Sequence, residues 1–264
     1  GAGETVCMNQ SVTSSGTCID SNGKDNFSFD CQGNDMTMTG GFGWGIDLDD
    51  TGDDSNYNTV KNCNIYDYWG GIRVFGGLNN SMQDIVVSGS IYGVSLGTGS
   101  ENTYINNITL FENTNGLSIT RSTKSVVINS NFSNNTLNFQ IIGSNDANFD
   151  NIISKNNIID HKFKIYYNYS ISNFEFNSIN AGDAGTLICA KCENITVKDL
   201  NLSNYNQNGL LFFNTSNSSI SNVTISDNTY GLYLDLSSDN IISNITIENN
   251  ENCLKLDESS RNYI

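Results

Sequence analysis

The sequence predicts an all-β solenoid, a right-handed single-stranded parallel β-helix of about ten coils with roughly 22 to 25 residues in each coil. Three observations lead to this prediction. A repeat runs through the chain, its apolar residues alternate at the spacing of strands, and its bends are rich in asparagine and glycine. Proline is absent, so the bends depend on residues that tolerate left-handed backbone conformations.

The repeat is clearest in two successive segments near the C-terminus. Residues 216–225 read SNSSISNVTI and residues 238–247 read SDNIISNITI, and a short apolar strand follows each of them. Tracing this template back through the chain gives three apolar ladders with one residue per coil, interrupted only by Ser154. The ladders are Val60, Met82, Ile105, Val127, Phe149, Phe174, Val197, Ile220 and Ile242; Ile65, Val87, Leu110, Phe132, Ser154, Ile179, Leu202, Ile225 and Ile247; and Ile72, Val94, Leu117, Phe139, Phe163, Leu187, Leu210, Leu232 and Leu254.

A polar ladder lies three residues before the second apolar ladder, at a bend. Asparagine and aspartate adopt the left-handed conformation readily, and stacked amides can hydrogen-bond from coil to coil. The members are Asn62, Asp84, Asn107, Asn129, Asn151, Phe176, Asp199, Asn222 and Asn244. The template fits worst over residues 155–191, where we expect a bulge or a longer loop.

The two ends of the chain differ from the repeat. Residues 1–20 are expected to form an N-terminal cap, because the end of a solenoid exposes backbone groups and apolar side chains. Residues 21–264 are assigned to the β-helix. Residues 259–264 align with residues 237–242, so the last coil stops at its first ladder position. We expect this end to stack on a further coil, from a longer chain or from another copy.

The seven cysteines and single histidine suit disulfides in an oxidising compartment better than a zinc site. Cys7 and Cys18 are expected to close the cap. Cys189 and Cys192 form a C-x-x-C in a segment where no helix is predicted, which allows a local disulfide. Cys63 is expected to be a buried residue of the core.

Charge and localisation signals point to an extracellular protein without a nucleic-acid or membrane partner. The net charge is −16, whereas binding to nucleic acid or to an anionic membrane needs a basic surface. No apolar stretch is long enough to cross a membrane. Candidate sites of N-glycosylation include Asn107, Asn194 and Asn244, each followed by the required hydroxyl residue.

The residues of the first coils resemble a known family. Residues 25–33 (DNFSFDCQG), 58–65 (NTVKNCNI) and 71–74 (GIRV) resemble the parallel β-helix repeat proteins of the pectate-lyase-like superfamily. The chain is most similar to the asparagine-rich cell-surface proteins of archaea and some bacteria, which share this repeat with periplasmic copper-maturation proteins. The resemblance implies the fold and not the function, because this fold carries both enzymes and structural proteins.

Polygalacturonase-like members of this superfamily carry a G-H-G segment, which this sequence lacks, since His161 is its only histidine. A lyase needs aspartates beside a basic residue, and the best candidates are Arg73 and a stacked Asp47. The alternative, which we favour, is an arginine that pairs with a carboxylate on the sheet surface.

The densest acidic run reads DLDDTGDD at residues 47–54. Oxygen-rich loops with glycine at the bend suit calcium, although no glutamate closes this loop. The candidate ligands are Asp47, Asp49, Asp50 and Asp53. The alternative is a solvated acidic loop without a metal.

Four aromatic residues, Trp44, Tyr66, Tyr68 and Trp69, lie near the same end of the repeat. Aromatic clusters stack on sugar rings, so glycans are candidate partners. The alternative is a small satellite core under the loop, which we favour.

The sequence as a whole favours a non-catalytic extracellular structural protein, such as a surface-layer, sheath or filament subunit or the stalk of a larger surface protein, associating through its ends. The alternative is a carbohydrate-active enzyme, either a polysaccharide lyase or a glycoside hydrolase, or a carbohydrate-binding module, acting on an acidic polysaccharide.

Overall fold

The computed structural model describes residues 3–49 and 55–264. Within these ranges the chain consists of parallel strands, one antiparallel pair and one short 3-10 helix, with no α-helix. It is a right-handed parallel β-helix of about 11 turns, which confirms the predicted fold class. The chain divides into two compact units, residues 1–152 and residues 153–264.

In its described residues, the first unit contains fifteen strands and the 3-10 helix η1 (Asp146–Phe149). The strands are β1 (Glu4–Cys7), β2 (Val12–Ser14), β3 (Ile19–Asp20), β4 (Phe27–Asp30), β5 (Asp35–Met38), β6 (Trp44–Asp49), β7 (Thr59–Tyr66), β8 (Gly70–Phe75), β9 (Ser81–Ser88), β10 (Tyr92–Leu96), β11 (Tyr104–Phe111), β12 (Asn115–Thr120), β13 (Val126–Ile128), β14 (Asn131–Ser133) and β15 (Leu137–Ile142). A further strand, β16 (Ile152–Ile153), lies at the division between the units.

Each regular coil of the first unit has three faces. Strands β7, β9 and β11 bend in the middle, at Asn62, Asp84 and Asn107, and so supply two of the faces. These residues have φ of 56°, 55° and 55°, the left-handed conformation expected for the polar ladder. The third face is the sheet with the order β15-β12-β10-β8-β6-β3.

The three predicted apolar ladders form the core of the first unit. Val94, Leu117 and Phe139 are partners in neighbouring strands and are at most 1 % exposed. The other two ladders are in register from Val60 to Val127 and from Ile65 to Phe132. Burying such side chains removes roughly 1.5 to 3 kcal/mol of unfavourable hydration for each.

Residues 3–20, predicted to be a cap, are themselves built as a coil. Strands β1, β2 and β3 pair in parallel with β4, β5 and β6 respectively. This segment therefore covers the apolar side chains of the next coil by continuing its sheets.

The second unit contains ten further strands. They are β17 (Ile158–Ile159), β18 (Phe163–Tyr169), β19 (Ser172–Phe176), β20 (Ala184–Ala190), β21 (Glu193–Leu202), β22 (Asn208–Phe213), β23 (Ser219–Ser226), β24 (Tyr230–Asp235), β25 (Ile241–Glu248) and β26 (Asn252–Asp257). Strands β18-β20-β22-β24-β26 form one face, and β19-β21-β23-β25 form the other two. The bends within β21, β23 and β25 again carry left-handed residues, Asp199, Asn222 and Asn244.

The coil that fits the template worst is irregular, as expected. The register shifts between Lys164 and Ile165, and β17 pairs antiparallel with β18 across a turn. Three of the apolar-ladder assignments here are wrong. Phe176, not Phe174, is the partner of Val197.

In the same coil, Tyr166, not Phe163, is the partner of Leu187. Ile179 is 93 % exposed, because it lies in the loop after β19 and takes no place in the ladder predicted to contain it. The partner of Val197 thus lies two residues later than expected, whereas the partner of Leu187 lies three residues later, because the register of β18 also shifts between Lys164 and Ile165.

A second set of asparagines, not anticipated from the sequence, lies inside the coils. The side-chain oxygen of Asn80 accepts the backbone N–H of Asn58 in the preceding coil, and Asn228 does the same for Asn206. All four are at most 5 % exposed. Such amides satisfy backbone groups at the bends that water does not reach.

Candidate functional site

The predicted basic candidate, Arg73, lies on β8 directly beside Asp47 of β6, its partner in the parallel register. Its Nε donates to Asp47 Oδ1 at 2.8 Å and its Nη2 donates to Asp47 Oδ2 at 2.7 Å. Nη2 also donates to Asp49 Oδ2. The guanidinium lies 5.4 Å from the centre of the Trp44 ring, on which it can form a cation–π contact.

Burial and pairing act in opposite directions on this ion pair. Burial raises the pKa of Asp47, and the hydrogen bonds and charge of Arg73 oppose that rise. The hydrogen bond to Asp47 raises the pKa of Arg73 above its ordinary value. An arginine held in this way stays protonated, so the geometry fits the paired-carboxylate interpretation and not a catalytic base.

Of the four predicted calcium ligands, the structure describes Asp47 and Asp49. Asp50 and Asp53 lie outside the described residues. Arg73 donates hydrogen bonds to both carboxylate oxygens of Asp47 and to one of Asp49. These are the oxygens that a calcium ion would need as ligands. Across residues 3–49 and 55–264, no group of three or more His, Cys, Asp or Glu side chains is placed to hold a metal ion.

The aromatic candidates separate into a buried set and a partly exposed one. Trp44 and Tyr68 are 8 % and 2 % exposed, as the satellite-core interpretation expects. The Tyr68 hydroxyl lies 2.8 Å from Ser14 Oγ, and burial raises its pKa to about 12. Trp69 packs edge-on against Trp44, with 5.1 Å between the ring centres, and remains partly exposed.

One aromatic residue of this cluster, Tyr92, was not among the candidates predicted from the sequence. Tyr92 completes the cluster, with its ring centre 5.2 Å from that of Trp69. Tyr66 is half-buried on the neighbouring face of the coil. Tyr92 of β10 occupies the same position in its coil as Gly70 of β8 does in the preceding coil, one residue after Trp69. An alignment of the coils therefore places Tyr92 beside this cluster.

An open groove of about 510 Å³ lies over the bends between the second and third faces of the first unit. We call it the bend groove. Its lining includes Asp67, Gly89 and Glu112, which occupy equivalent positions in three successive coils. Each of them lies two residues after the second apolar ladder, an offset that the repeat could have revealed.

The cysteines pair differently from the prediction in the first unit. Cys31 and Cys63 form a disulfide between neighbouring coils, and Cys63 is fully buried as predicted. The predicted Cys7–Cys18 disulfide is wrong, since both residues are free thiols. Cys7 ends β1 and Cys18 precedes β3, strands that belong to different sheets of the coil.

In the second unit Cys189 and Cys192 form the local disulfide that the C-x-x-C allowed. Its two cysteines are buried within the apolar core of that unit. The pair is therefore a structural crosslink in the core.

The three glycosylation candidates share one environment. Asn107, Asn194 and Asn244 are exposed and have φ of 55°, 53° and 49°. The side-chain amide of each donates a hydrogen bond to a side-chain oxygen of the preceding coil. The acceptors are Asp84 for Asn107 at 2.5 Å, Asn173 for Asn194 at 2.7 Å and Asn222 for Asn244 at 3.2 Å. Modification of these nitrogens stays a prediction, and it would have to break these bonds.

One family description, "Right handed beta helix region", matches residues 139–264. No curated protein matches the sequence. Among the described residues, no helix is long and apolar enough to span a membrane.

Several solved structures match the chain at low sequence identity. The mannuronan C-5 epimerase AlgE4 A-module of Azotobacter vinelandii is 11% identical, over 97% of this chain and 76% of that chain, with a TM-score of 0.40. The surface protein and adhesin PfbA of Streptococcus pneumoniae is 12% identical over 97% and 67%, with a TM-score of 0.45. The catalytic domain of a GH87 alpha-1,3-glucanase is 13% identical over 100% and 60%, with a TM-score of 0.30. The family match and the parallel register thus agree on one fold, the right-handed β-helix.

Proposed function

We propose that this chain is a non-catalytic structural segment of an extracellular surface protein, as a surface-layer, sheath or filament subunit or as a stalk. The observation that carries the proposal is the double hydrogen-bonded ladder. In both units, inward amides such as Asn80 and Asn240 and outward amides such as Asn107 and Asn222 join successive coils. A solenoid joined in this way at its bends as well as its strands resists local opening.

The crosslinks and surface support an extracellular setting. The two disulfides suit an oxidising compartment, where structural disulfides form and persist. The outward polar ladder is made of neutral amides and carboxylates, as in the asparagine-rich surface proteins that the sequence resembles.

Stacking on a further coil is the proposed mode of association. Strands β25 and β26 lie at the edge of their sheets in the second unit. Leu254 and Leu256 of β26 are 38 % and 46 % exposed, although their equivalents in β24 are fully buried. A coil supplied by the same polypeptide or by another copy would cover them and pair with the free strand edges.

Turnover assays test the non-catalytic part of the proposal. We expect no unsaturated or reducing ends from polygalacturonate or alginate, with or without calcium, because Arg73 is held in an ion pair. The matched control is Arg261→Ala, which removes an arginine from an exposed ion pair. If the wild type and Arg261→Ala release product and Arg73→Ala does not, the structural proposal is wrong and the chain is a lyase.

A further inference from the structure

We infer that the bend groove binds a saccharide chain carrying free amino groups, with its sugar faces against apolar side chains and its ammonium groups beside Asp67 and Glu112. This ligand differs in charge from the acidic polysaccharide considered from the sequence. The groove volume of about 510 Å³ lies within the usual range for small-ligand sites.

The floor of the groove is shaped by a missing side chain. Asp67, Gly89 and Glu112 all have left-handed φ, 63°, 71° and 55°, and stand one above the other at the same bend. A Cβ on Gly89 would lie 2.3 Å from Asp67 Oδ1, at the tip of an exposed side chain, so a side chain at position 89 would displace this carboxylate from its place over the glycine. The result is a notch flanked by two carboxylates that are two coil spacings apart, about 10 Å.

The charge of the groove selects the ligand. Among the described residues, two carboxylates line it and no lysine, arginine or histidine does. Within the part of the chain that the structure describes, neither Asp67 nor Glu112 has a hydrogen bond or ion pair from its side chain. Unpaired carboxylates in a concave surface of an acidic protein attract cations and repel uronates.

The remaining lining suits sugar rather than a bare cation. Phe42 and Ile91 are 83 % and 41 % exposed on the groove wall, and Trp69 lies between them in the coil order. Apolar side chains of this kind pack against the C–H faces of sugar rings. Thr114 and Thr136 lie exposed in the next two coils and offer hydroxyls for sugar hydroxyls.

Calorimetry at about 150 mM salt, where exposed long-range attraction is largely screened, tests the proposal. The probes are chitosan, chitin and polygalacturonate oligosaccharides of equal length and a tetralysine peptide. We expect the chitosan oligosaccharide to bind at least tenfold more tightly than the acetylated chitin oligosaccharide, and the galacturonate not to bind. Equal binding of galacturonate or tetralysine, or no binding of chitosan, would overturn the assignment.

Variants separate the groove from the general acidity of the protein. Asp67→Asn with Glu112→Gln should weaken chitosan binding at least tenfold. The control, Glu248→Gln with Glu251→Gln, removes the same charge from exposed positions and should change affinity less than twofold. Gly89→Asn tolerates the left-handed backbone but fills the notch, so it should abolish binding while melting near the wild-type temperature. Equal losses in the two charge variants would refute the site.

Discussion

At the scale of single residues, asparagine has two roles that depend on the direction of its side chain. Pointing outward at a bend, as at Asn222, it adopts a left-handed conformation and bonds its neighbour in the ladder. Pointing inward, as at Asn240, it accepts the N–H of Ser218 and donates to the carbonyl of Thr215. The outward role could be predicted from the repeat. The inward role could not, since composition alone does not say which polar residues the coil encloses.

Leu117 tests the core register at a single position. Leu117→Asp should lower the free energy of unfolding by about 3 to 5 kcal/mol, because it buries an unpaired charge between Val94 and Phe139. Thr120→Asp, at the half-buried end of the same strand, should cost less than about 1 kcal/mol. Urea unfolding measures both. Similar losses in the two variants would contradict the inward direction of Leu117.

Arg73 tests the ion pair through pH. Arg73→Ala should lower the free energy of unfolding at pH 7 by about 2 kcal/mol, less than for a fully buried pair because Arg73 is 30 % exposed. The folded-state pKa of Asp47, already raised by burial, should rise further without Arg73.

A carboxyl whose folded pKa is raised destabilises the fold as pH rises through that pKa, and the penalty disappears below the ordinary value of 3.8. The difference between Arg73→Ala and the wild type should therefore shrink as the pH falls toward 4. Arg261→Ala, which breaks an exposed pair with Asp239, should show a much smaller deficit at pH 7. A deficit in Arg73→Ala that stays constant with pH would exclude Asp47 as its source.

At the scale of strands, the regular coils were predictable because period-two alternation and bend asparagines recur at one spacing. The coil around residues 155–191 was not, because Phe174 and Phe176 have the same parity and alternation cannot choose between them. The choice depends on the length of the loop after β19, which places Phe176 beside Val197. The bend groove was missed for a related reason, since Gly89 contributes by lacking a side chain.

The two disulfides allow a matched test of crosslinks between strands. The Cys31–Cys63 bond spans 32 residues and the Cys189–Cys192 bond spans 3. All four cysteines are buried, so replacing either pair by alanine leaves a similar void. Loop-closure entropy then predicts losses of about 4 and about 2 kcal/mol respectively. Urea unfolding of the two double variants checks the order, and a larger loss for the second pair would contradict it.

At the scale of the whole molecule, charge opposes the proposed stacking. A net charge of −16 makes copies repel one another at neutral pH. The sequence pI of about 4.1 means that this repulsion fades in mild acid. Salt acts similarly, because the screening length falls from about 30 Å at 0.01 M to about 10 Å at 0.1 M ionic strength. Stacking through the apolar edge near Leu254 should therefore be controlled by salt and acidity.

Sedimentation velocity tests this dependence directly. We expect a monomer at pH 7 in about 0.01 M salt and larger species as salt rises or pH approaches 4, because burial of Leu254 and Leu256 then outweighs repulsion. Leu254→Lys with Leu256→Lys should prevent association, since a stacked coil would bury both ammonium groups. Asn252→Lys with Ser260→Lys adds the same charge at exposed positions and should leave association intact or strengthen it. If both double variants associate like the wild type, the contact lies elsewhere on the surface, and a monomer under every condition would remove self-stacking from the proposed function.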